Sequence, residues 1–168
     1  MDYKKGDILI DFGAAYKIKD VKSQKNLEGK TELYIFYTPV FETNQNRGIL
    51  CSISLSNLDK TNKRKPLSKS KIYQLLRSLS QKQTAINPVS PKQEEVVFKT
   101  NDIEQIVPII KRLEAEKNHQ EKDFSNSKQA IYQQAIDCLT QEVAVVLGIT
   151  LDKAEQKILS IMRNSRKK

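Results

Sequence analysis

The chain has 168 residues, of which 38% are hydrophobic and 29% are charged, so it can bury a core and wholesale disorder is excluded. Acids and lysines interrupt the apolar residues near the N-terminus, and no stretch approaches the roughly 18 apolar residues that a membrane helix needs. We therefore expect a soluble intracellular protein without membrane association, and the formal net charge of +9 favours a polyanion or an acidic protein surface as its partner.

Short β-strands are predicted for the first part of the chain. Residues 7–12 (DILIDF) alternate between apolar and polar side chains, and residues 16–21 (YKIKDV) continue this period of two. Residues 31–41 and 49–55 are rich in β-branched and aromatic side chains, which favours further strands. Because so short a sheet needs closure or a cover to protect its edges, the pattern indicates a small barrel or a strongly bent sheet.

A helical period follows Pro66. Four apolar residues between positions 68 and 82 fall on one helical stripe: Ile72, Leu75, Leu76 and Leu79. Residues 83–92 (QTAINPVSPK) contain two prolines and no periodicity, so we place the domain boundary there. The predicted division is a β domain over 1–66, a helix and linker over 67–92, and a helical domain over 93–168.

Residues 103–113 carry the next helical stripe, with Asn101 or Asp102 able to cap it. Pro108 lies inside this stripe, where a proline removes a backbone donor and costs about 3 kcal/mol. We therefore expect a break in the helix near residues 105–108.

Two more helices are predicted beyond this point. One begins at Ser125 or Ser127 and ends at Gly148, and the last is capped by Thr150. Helices of this length are not stable alone in water, so their apolar stripes must pack into a bundle. The fold class predicted is α+β, with a small β domain followed by an all-α helical bundle.

The sequence offers little for catalysis or for a cofactor. Cys51 and Cys138 form no CxxC pair, and their expected state is two buried or half-buried thiols. His119 is the only histidine and lies in the polar run EKNHQEKD, which favours a solvated side chain over an oriented base. We expect a binding protein rather than an enzyme, with no metal and no cofactor.

The strongest local charge feature is a run of six cations in twelve residues without an acid: Lys60, Lys63, Arg64, Lys65, Lys69 and Lys71. It belongs to the more basic half, since residues 1–83 hold 16 Lys/Arg and 8 Asp/Glu, against 13 and 12 in residues 84–168. A solvated loop leading into a helix and a contact with nucleic-acid phosphates both remain open for this segment.

The succession of motifs resembles the CarD family of bacterial RNA polymerase-binding proteins. The opening YKKGDILIDFGAAYKIKDV is similar to the start of the family, and the segment over residues 49–64 to its later strand and turn, with Asn57 and Arg64 matching. Four residues occupy the family's Gly-Asp and Gly-Ala positions: Gly6, Asp7, Gly13 and Ala14. In the second half, residues 101–113, 124–149 and 152–159 resemble the family's helices in the same order.

The resemblance implies a function as well as a fold. It implies a Tudor-like or SH3-like barrel that binds the β subunit of RNA polymerase, partly through a strand edge, and a helical domain that contacts promoter DNA and stabilises the open complex. The polymerase contacts expected from it are Lys22, Lys25, Leu50, Ser52, Ile53 and Ser54. The DNA contacts expected are Lys63, Arg64, Lys65, Asn87, Lys92, Lys99 and Lys128.

The chain departs from the family's pattern at three places, one of which is that the family's basic cluster is reduced here to Lys92. Ser52, Ile53 and Ser54 stand where the family usually has an arginine or a similar residue before its Val-Pro pair. Asn87 aligns with a tryptophan that wedges into the DNA minor groove in many members, and this chain has no tryptophan. Lys92, Lys99 and Lys128 are then the best remaining phosphate contacts of the helical domain.

Two other functions compete with a polymerase-tethered regulator. One is a free-standing, sequence-tolerant DNA-binding protein that uses residues 60–71, and the other is an adaptor for an acidic protein. We expect a monomer that acts in the cytoplasm at the nucleoid.

Overall fold

The computed structural model describes residues 3–25, 28–81, 91–119 and 124–166, and its architecture is α+β. Strands dominate before residue 55 and helices after it, which confirms the predicted order. The strands are β1 (Ile8–Asp11), β2 (Ala14–Lys25), β3 (Thr31–Pro39) and β4 (Cys51–Ser54). The helices are α1 (Leu55–Leu58), α2 (Lys69–Leu79), α3 (Pro91–Thr100), α4 (Ile103–His119), α5 (Asn126–Leu147) and α6 (Leu151–Arg166).

The strands form an antiparallel sheet in the order β1–β2–β3–β4, so each strand pairs with its neighbour in sequence. β1 and β4 lie at opposite edges of this sheet. The sheet is therefore not closed in the described residues, and closure into a barrel is not shown. β2 carries an irregularity between Ile18 and Asp20, a feature that increases local twist.

One face of the sheet covers its own small core. Leu9, Ile18 and Ile35 are fully buried there, and the short helix α1 contributes Leu58. Since alternate residues of a strand face opposite sides, the period of two accounts for Ile18 and Ile35. It is wrong for β1, where Leu9 enters this core and Phe12, at the end of the predicted alternation, is 63% exposed.

The helices share a second, larger core. α2 joins it through the predicted stripe of Ile72, Leu75, Leu76 and Leu79, all of which are buried. Ser68 caps this helix, as its hydroxyl oxygen accepts a hydrogen bond from the Lys71 N–H. The apolar stripe therefore docks α2 onto the helical half of the protein rather than onto the sheet's own core.

The expected break at Pro108 is wrong. α4 runs without interruption over residues 103–119 with Pro108 inside it. Ile106 and Ile110 on either side of the proline are buried in the helical core, and their packing offsets the one backbone hydrogen bond that the proline removes. Asp102, one of the two predicted caps, accepts a hydrogen bond from the Glu104 N–H.

The last two helices begin and end where the sequence predicts. Ser125 accepts from the Lys128 N–H at the start of α5, and Gly148 ends that helix in the left-handed conformation, with φ 66°. Thr150 then accepts from the Lys153 N–H at the start of α6. These caps satisfy backbone groups that a helix end otherwise leaves without partners.

Among the described residues, no single helix is long and apolar enough to cross a membrane, and only α5 and α6 taken together, bent by 114°, reach that length and composition. The predicted division into residues 1–66, 67–92 and 93–168 stays a prediction, since residues 82–90 of its linker lie outside the described part.

Candidate functional site

The predicted basic segment lies where the sheet meets the helices, and several of its cations are paired with acids. Lys63 Nζ lies 3.0 Å from Asp11 Oδ2, with both side chains largely buried. Lys65 Nζ lies 3.6 Å from Asp7 Oδ2 and 5.1 Å from the centre of the Tyr3 ring. These contacts tie the segment to the first strand and its preceding turn.

Arg64 makes the strongest of these contacts. Its Nη1 and Nη2 donate to the two carboxylate oxygens of Glu142 on α5, and each of these donor–acceptor distances is 2.7 Å. Its Nε donates to the Asn101 carbonyl oxygen, also at a distance of 2.7 Å. Only 1% of the Glu142 side chain is exposed, and its Oε1 also accepts from the Leu67 N–H. A two-pronged partner of this kind stabilises a buried carboxylate, because each of its two oxygens then accepts a charge-assisted hydrogen bond.

Asn101 links three separate segments with its side chain. Its Oδ1 accepts from the Gly13 N–H at 3.0 Å, and its Nδ2 donates to the carbonyls of Ile10 at 2.9 Å and Asn62 at 2.8 Å. The residue is buried and has a positive φ of 57°, in the region that asparagine tolerates better than most residues. It thus joins the β1–β2 turn to the start of α4.

The β1–β2 turn packs directly on α5. A Cβ placed on Gly13 would lie 2.2 Å from Cys138 Sγ, and the glycine has a φ of 77°, so only glycine fits here. The Ala15 N–H donates to Gln141 Oε1 at 2.8 Å. Burial raises the pKa of the Cys138 thiol to about 11, which keeps it protonated and unreactive at neutral pH. We call Gly13, Arg64, Asn101, Gln141 and Glu142 the sheet–helix seam.

A second surface lies at the β4 edge of the sheet. β4 pairs with β3 on one side and has no strand on its other side in the described part of the chain. Just before this strand, Leu50 is 61% exposed and Ile49 is 43% exposed. An open strand edge with apolar side chains beside it suits pairing with another chain.

The structure brings four of the six predicted polymerase contacts to this edge. Leu50 and Ser52 are exposed, whereas Ile53 packs against the core of the sheet and Ser54 is buried. The other two predicted contacts, Lys22 and Lys25, lie on β2, two strands inward from the edge. Lys22 pairs with Asp20 at 2.9 Å and sits over the Phe36 ring.

The predicted DNA contacts that the structure describes fall at two places. Lys63, Arg64 and Lys65 lie at the junction of sheet and helices, and Lys99 near the end of α3 lies beside them, since the Asn62 amide donates to the Lys99 carbonyl at 2.7 Å. Lys128 on α5 pairs with Glu116 at 2.7 Å. Asn87 lies outside the described residues, and Lys92 belongs to α3 but its side chain lies outside the described part.

A buried charge network accounts for the position of Lys128. Arg112 on α4 pairs with Glu94 of α3 and with Glu116, and both Arg112 and Glu94 are buried. Burial raises the pKa of Glu116, but hydrogen bonds from Lys128 and Arg112 outweigh it, so the pKa lies below its usual value. The network joins α3, α4 and α5.

Comparison with known families decides the identity. The sequence model described as CarD, C-terminal domain, matches residues 71–159, which is more than half of the chain. The chain belongs to the CarD family of transcription regulators. The matched segment runs from α2 into α6 and contains Asn101 and Glu142 of the seam. Curated protein sequences give no match.

The CarD resemblance singles out Gly13 and Arg64 but does not identify their partners. The sequence predicts Asn101 only as a helix cap, and Gln141 and Glu142 only as part of a family-like helix. One signal is available, since the acid at position 142 is followed directly by five apolar residues of α5, VAVVL. Its partner could not be found from the sequence, because 78 residues separate it from Arg64.

Proposed function

We propose that this CarD-family chain binds the β subunit of RNA polymerase through the β4 edge and contacts promoter DNA with its helical half, so that the open complex is stabilised. The observation that carries the proposal is that one edge of β4 pairs with no strand of the described residues and has Leu50 exposed beside it. We further propose that the chain acts as a monomer in the cytoplasm, at the nucleoid.

Strand addition is the binding mode that this edge supports. In such pairing, backbone groups of the partner strand supply most of the hydrogen bonds, and side chains next to the edge supply specificity. Leu50 and Ile49 offer apolar contact area at one end of β4. Because backbone pairing depends little on sequence, the loss of the family's arginine at residues 52–54 is compatible with this mode.

Stabilisation of the open complex requires a difference in affinity. A factor that binds the open promoter better than the closed one shifts their equilibrium only by the ratio of its two affinities. A coupling of about 1–3 kcal/mol, roughly tenfold to a hundredfold, is typical of such effects. The sheet–helix seam supports this mechanism, since it holds the β4 edge and the helices in one arrangement.

The alternative of a free-standing DNA-binding protein has less support. It depends on residues 60–71, where Lys63, Arg64, Lys65 and Lys71 each form an ion pair with an acid of the same chain. Cations that are already neutralised within the fold contribute less to phosphate binding. We therefore place this function second.

Two measurements test the proposal. Capture of RNA polymerase by the tagged full-length chain should retain the β subunit, and Leu50→Asp should weaken that capture. The matched control is Val96→Asp, because Val96 on α3 is 60% exposed and far from β4 in sequence. The lifetime of an open promoter complex should lengthen about tenfold or more with the wild-type chain. Capture without β, or an unchanged lifetime, contradicts the proposal.

A further inference from the structure

The long basic stretch contains two cations whose side chains form neither an ion pair nor a hydrogen bond in the described residues. Of these only Arg77, in the last turn of its helix, has a role in helix stability. Residues 60–81 hold seven cations and no acid. Four of the seven pair with acids elsewhere in the chain: Lys63, Arg64, Lys65 and Lys71. Lys60 donates to Asn57 in the preceding turn. Lys69 and Arg77 remain, and neither pairs with an acid in the part of the chain that the structure describes.

Lys69 and Arg77 lie on one exposed row of α2. Tyr73 stands midway between them, four residues from each, and side chains four apart on a helix are neighbours on the same face. All three are exposed, Tyr73 by 49%. We call Lys69, Tyr73 and Arg77 the α2 ridge.

The rest of this exposed face is polar and uncharged. It consists of Ser70 and Gln74 of α2 and Ser80 at its C-cap. On the opposite side, α2 is anchored by its buried apolar stripe and by the ion pair of Lys71 with Glu104 on α4. The ridge is therefore displayed on a fixed helix, and residues 60–81 themselves contain no acid that would repel an anion.

Helix stability does not account for Lys69. The N-terminal end of a helix carries a partial positive charge, so a lysine in the first turn is unfavourable there, and α2 has no acid in that turn. The aromatic ring of Tyr73 likewise remains half-exposed to water, whereas the neighbouring Ile72 is buried in the core. An external anion that pairs with Lys69 and accepts a hydrogen bond from Tyr73 would explain both positions.

We propose that the α2 ridge is a binding site for the phosphate backbone of duplex DNA. Lys69 and Arg77 stand eight residues apart, which is about 12 Å along the helix, so each reaches a different phosphate. The Tyr73 hydroxyl donates to a phosphate oxygen between them. Contacts of this kind position a protein on DNA without reading its sequence. A single aromatic side chain provides no platform for stacking successive bases, so the site fits a duplex rather than a single strand.

The inference rests on the proposed function only in placing DNA against the helical half. It assigns residues that the family resemblance does not, since none of the three belongs to the seven DNA contacts expected from it, and only Lys69 belongs to the segment of the free-standing alternative. Binding to DNA by the free chain and capture of the β subunit are separate measurements, so either can fail while the other succeeds.

The test uses the full-length chain and a fluorescent DNA duplex of arbitrary sequence. Fluorescence anisotropy measures how the affinity between them depends on salt concentration. Each phosphate contact contributes about 0.9 to the slope of log affinity against log salt. Lys69→Gln combined with Arg77→Gln should flatten that slope by about 1.8. Tyr73→Phe should weaken binding less than the double variant and leave the slope unchanged.

The control removes the same charge elsewhere. Lys17→Gln combined with Lys19→Gln neutralises two exposed lysines of β2, and it should leave the slope close to wild type. Circular dichroism checks that all variants fold. An unchanged slope in the α2 variant, an equal change in the β2 control, or a preference for vesicles of anionic lipid over the duplex would each overturn the proposal.

Discussion

Arg64 and Glu142 are 78 residues apart in the chain, yet both outer guanidinium nitrogens of Arg64 donate to the Glu142 carboxylate, each at a distance of 2.7 Å. The arginine follows the last strand of the sheet and the short helix α1, and the glutamate lies in the C-terminal third of α5. This pair holds the two halves of the protein together, and it explains why a predicted DNA contact is turned inward.

Glu142→Gln should destabilise the protein by about 3 kcal/mol. It leaves the Arg64 charge without its partner in a site that is only 22% exposed, and breaking one side of a buried pair typically costs about 3–5 kcal/mol. Urea unfolding followed by circular dichroism measures the change. The control is Lys30→Gln, which removes an exposed pair with Glu28 and should change stability by less than about 1 kcal/mol. Equal stability of Glu142→Gln and wild type would refute the structural role of the pair.

Asn101→Ala should destabilise the protein more than Asn101→Gly. Both remove the side chain that satisfies the Gly13 N–H and the Ile10 carbonyl, and each buried group left unpaired costs about 1–3 kcal/mol. Alanine also carries a Cβ at the positive φ of 57°, which adds about 1–2 kcal/mol, whereas glycine adopts that conformation freely. Chemical unfolding of the two variants gives the difference. The reverse order of stability would show that the backbone conformation is not a constraint at this position.

Gly13→Ala should loosen the packing of the β1–β2 turn on α5. The added methyl group would lie 2.2 Å from Cys138 Sγ, so the turn and the helix must separate. Adding Cys138→Ala removes the sulfur and should restore part of the lost stability, because the nearest remaining atom is then the Cβ at 2.8 Å. A double-mutant cycle in urea measures this coupling. Strictly additive effects would mean that the two residues do not touch.

Stability should fall steeply as the pH rises from 10 to 12. Burial raises the pKa of Tyr132 to about 12 from its ordinary value of 10.0, so the folded protein favours the neutral phenol. The stabilisation is complete below pH 10 and is lost as the pH climbs towards the folded pKa of about 12. Tyr132→Phe should therefore make the alkaline decline shallower, as measured by thermal unfolding across this range.

Tyr73→Phe is the control for the alkaline experiment, because Tyr73 is 49% exposed. It should leave the pH profile unchanged. Burial also raises the pKa of Tyr37 to about 12, and this residue is present in both variants. The alkaline decline of Tyr132→Phe is therefore shallower than that of the wild type but does not disappear. An identical profile for Tyr132→Phe and wild type would argue against a buried phenol at position 132.

Local patterns in the sequence predicted most of the elements, because they depend on residues close together in the chain. The period of two marked the strands, and the stripe ending at Leu79 marked α2. Ser125, Gly148 and Thr150 marked helix ends, since a cap acts within a few residues of its own position. The order of the motifs points to the CarD family, and the match over residues 71–159 confirms it.

Only the tertiary structure decided how those elements pack against one another. Pro108 remains inside a continuous helix because Ile106 and Ile110 are buried against residues distant in the chain. Local helix propensity carries no information on such packing. The sequence alone determined that the chain is basic over residues 60–81, but it could not tell which cations are neutralised inside the fold. Ion pairs form between residues that folding brings together, and so Arg64 meets Glu142 while Lys69 and Arg77 stay on the surface.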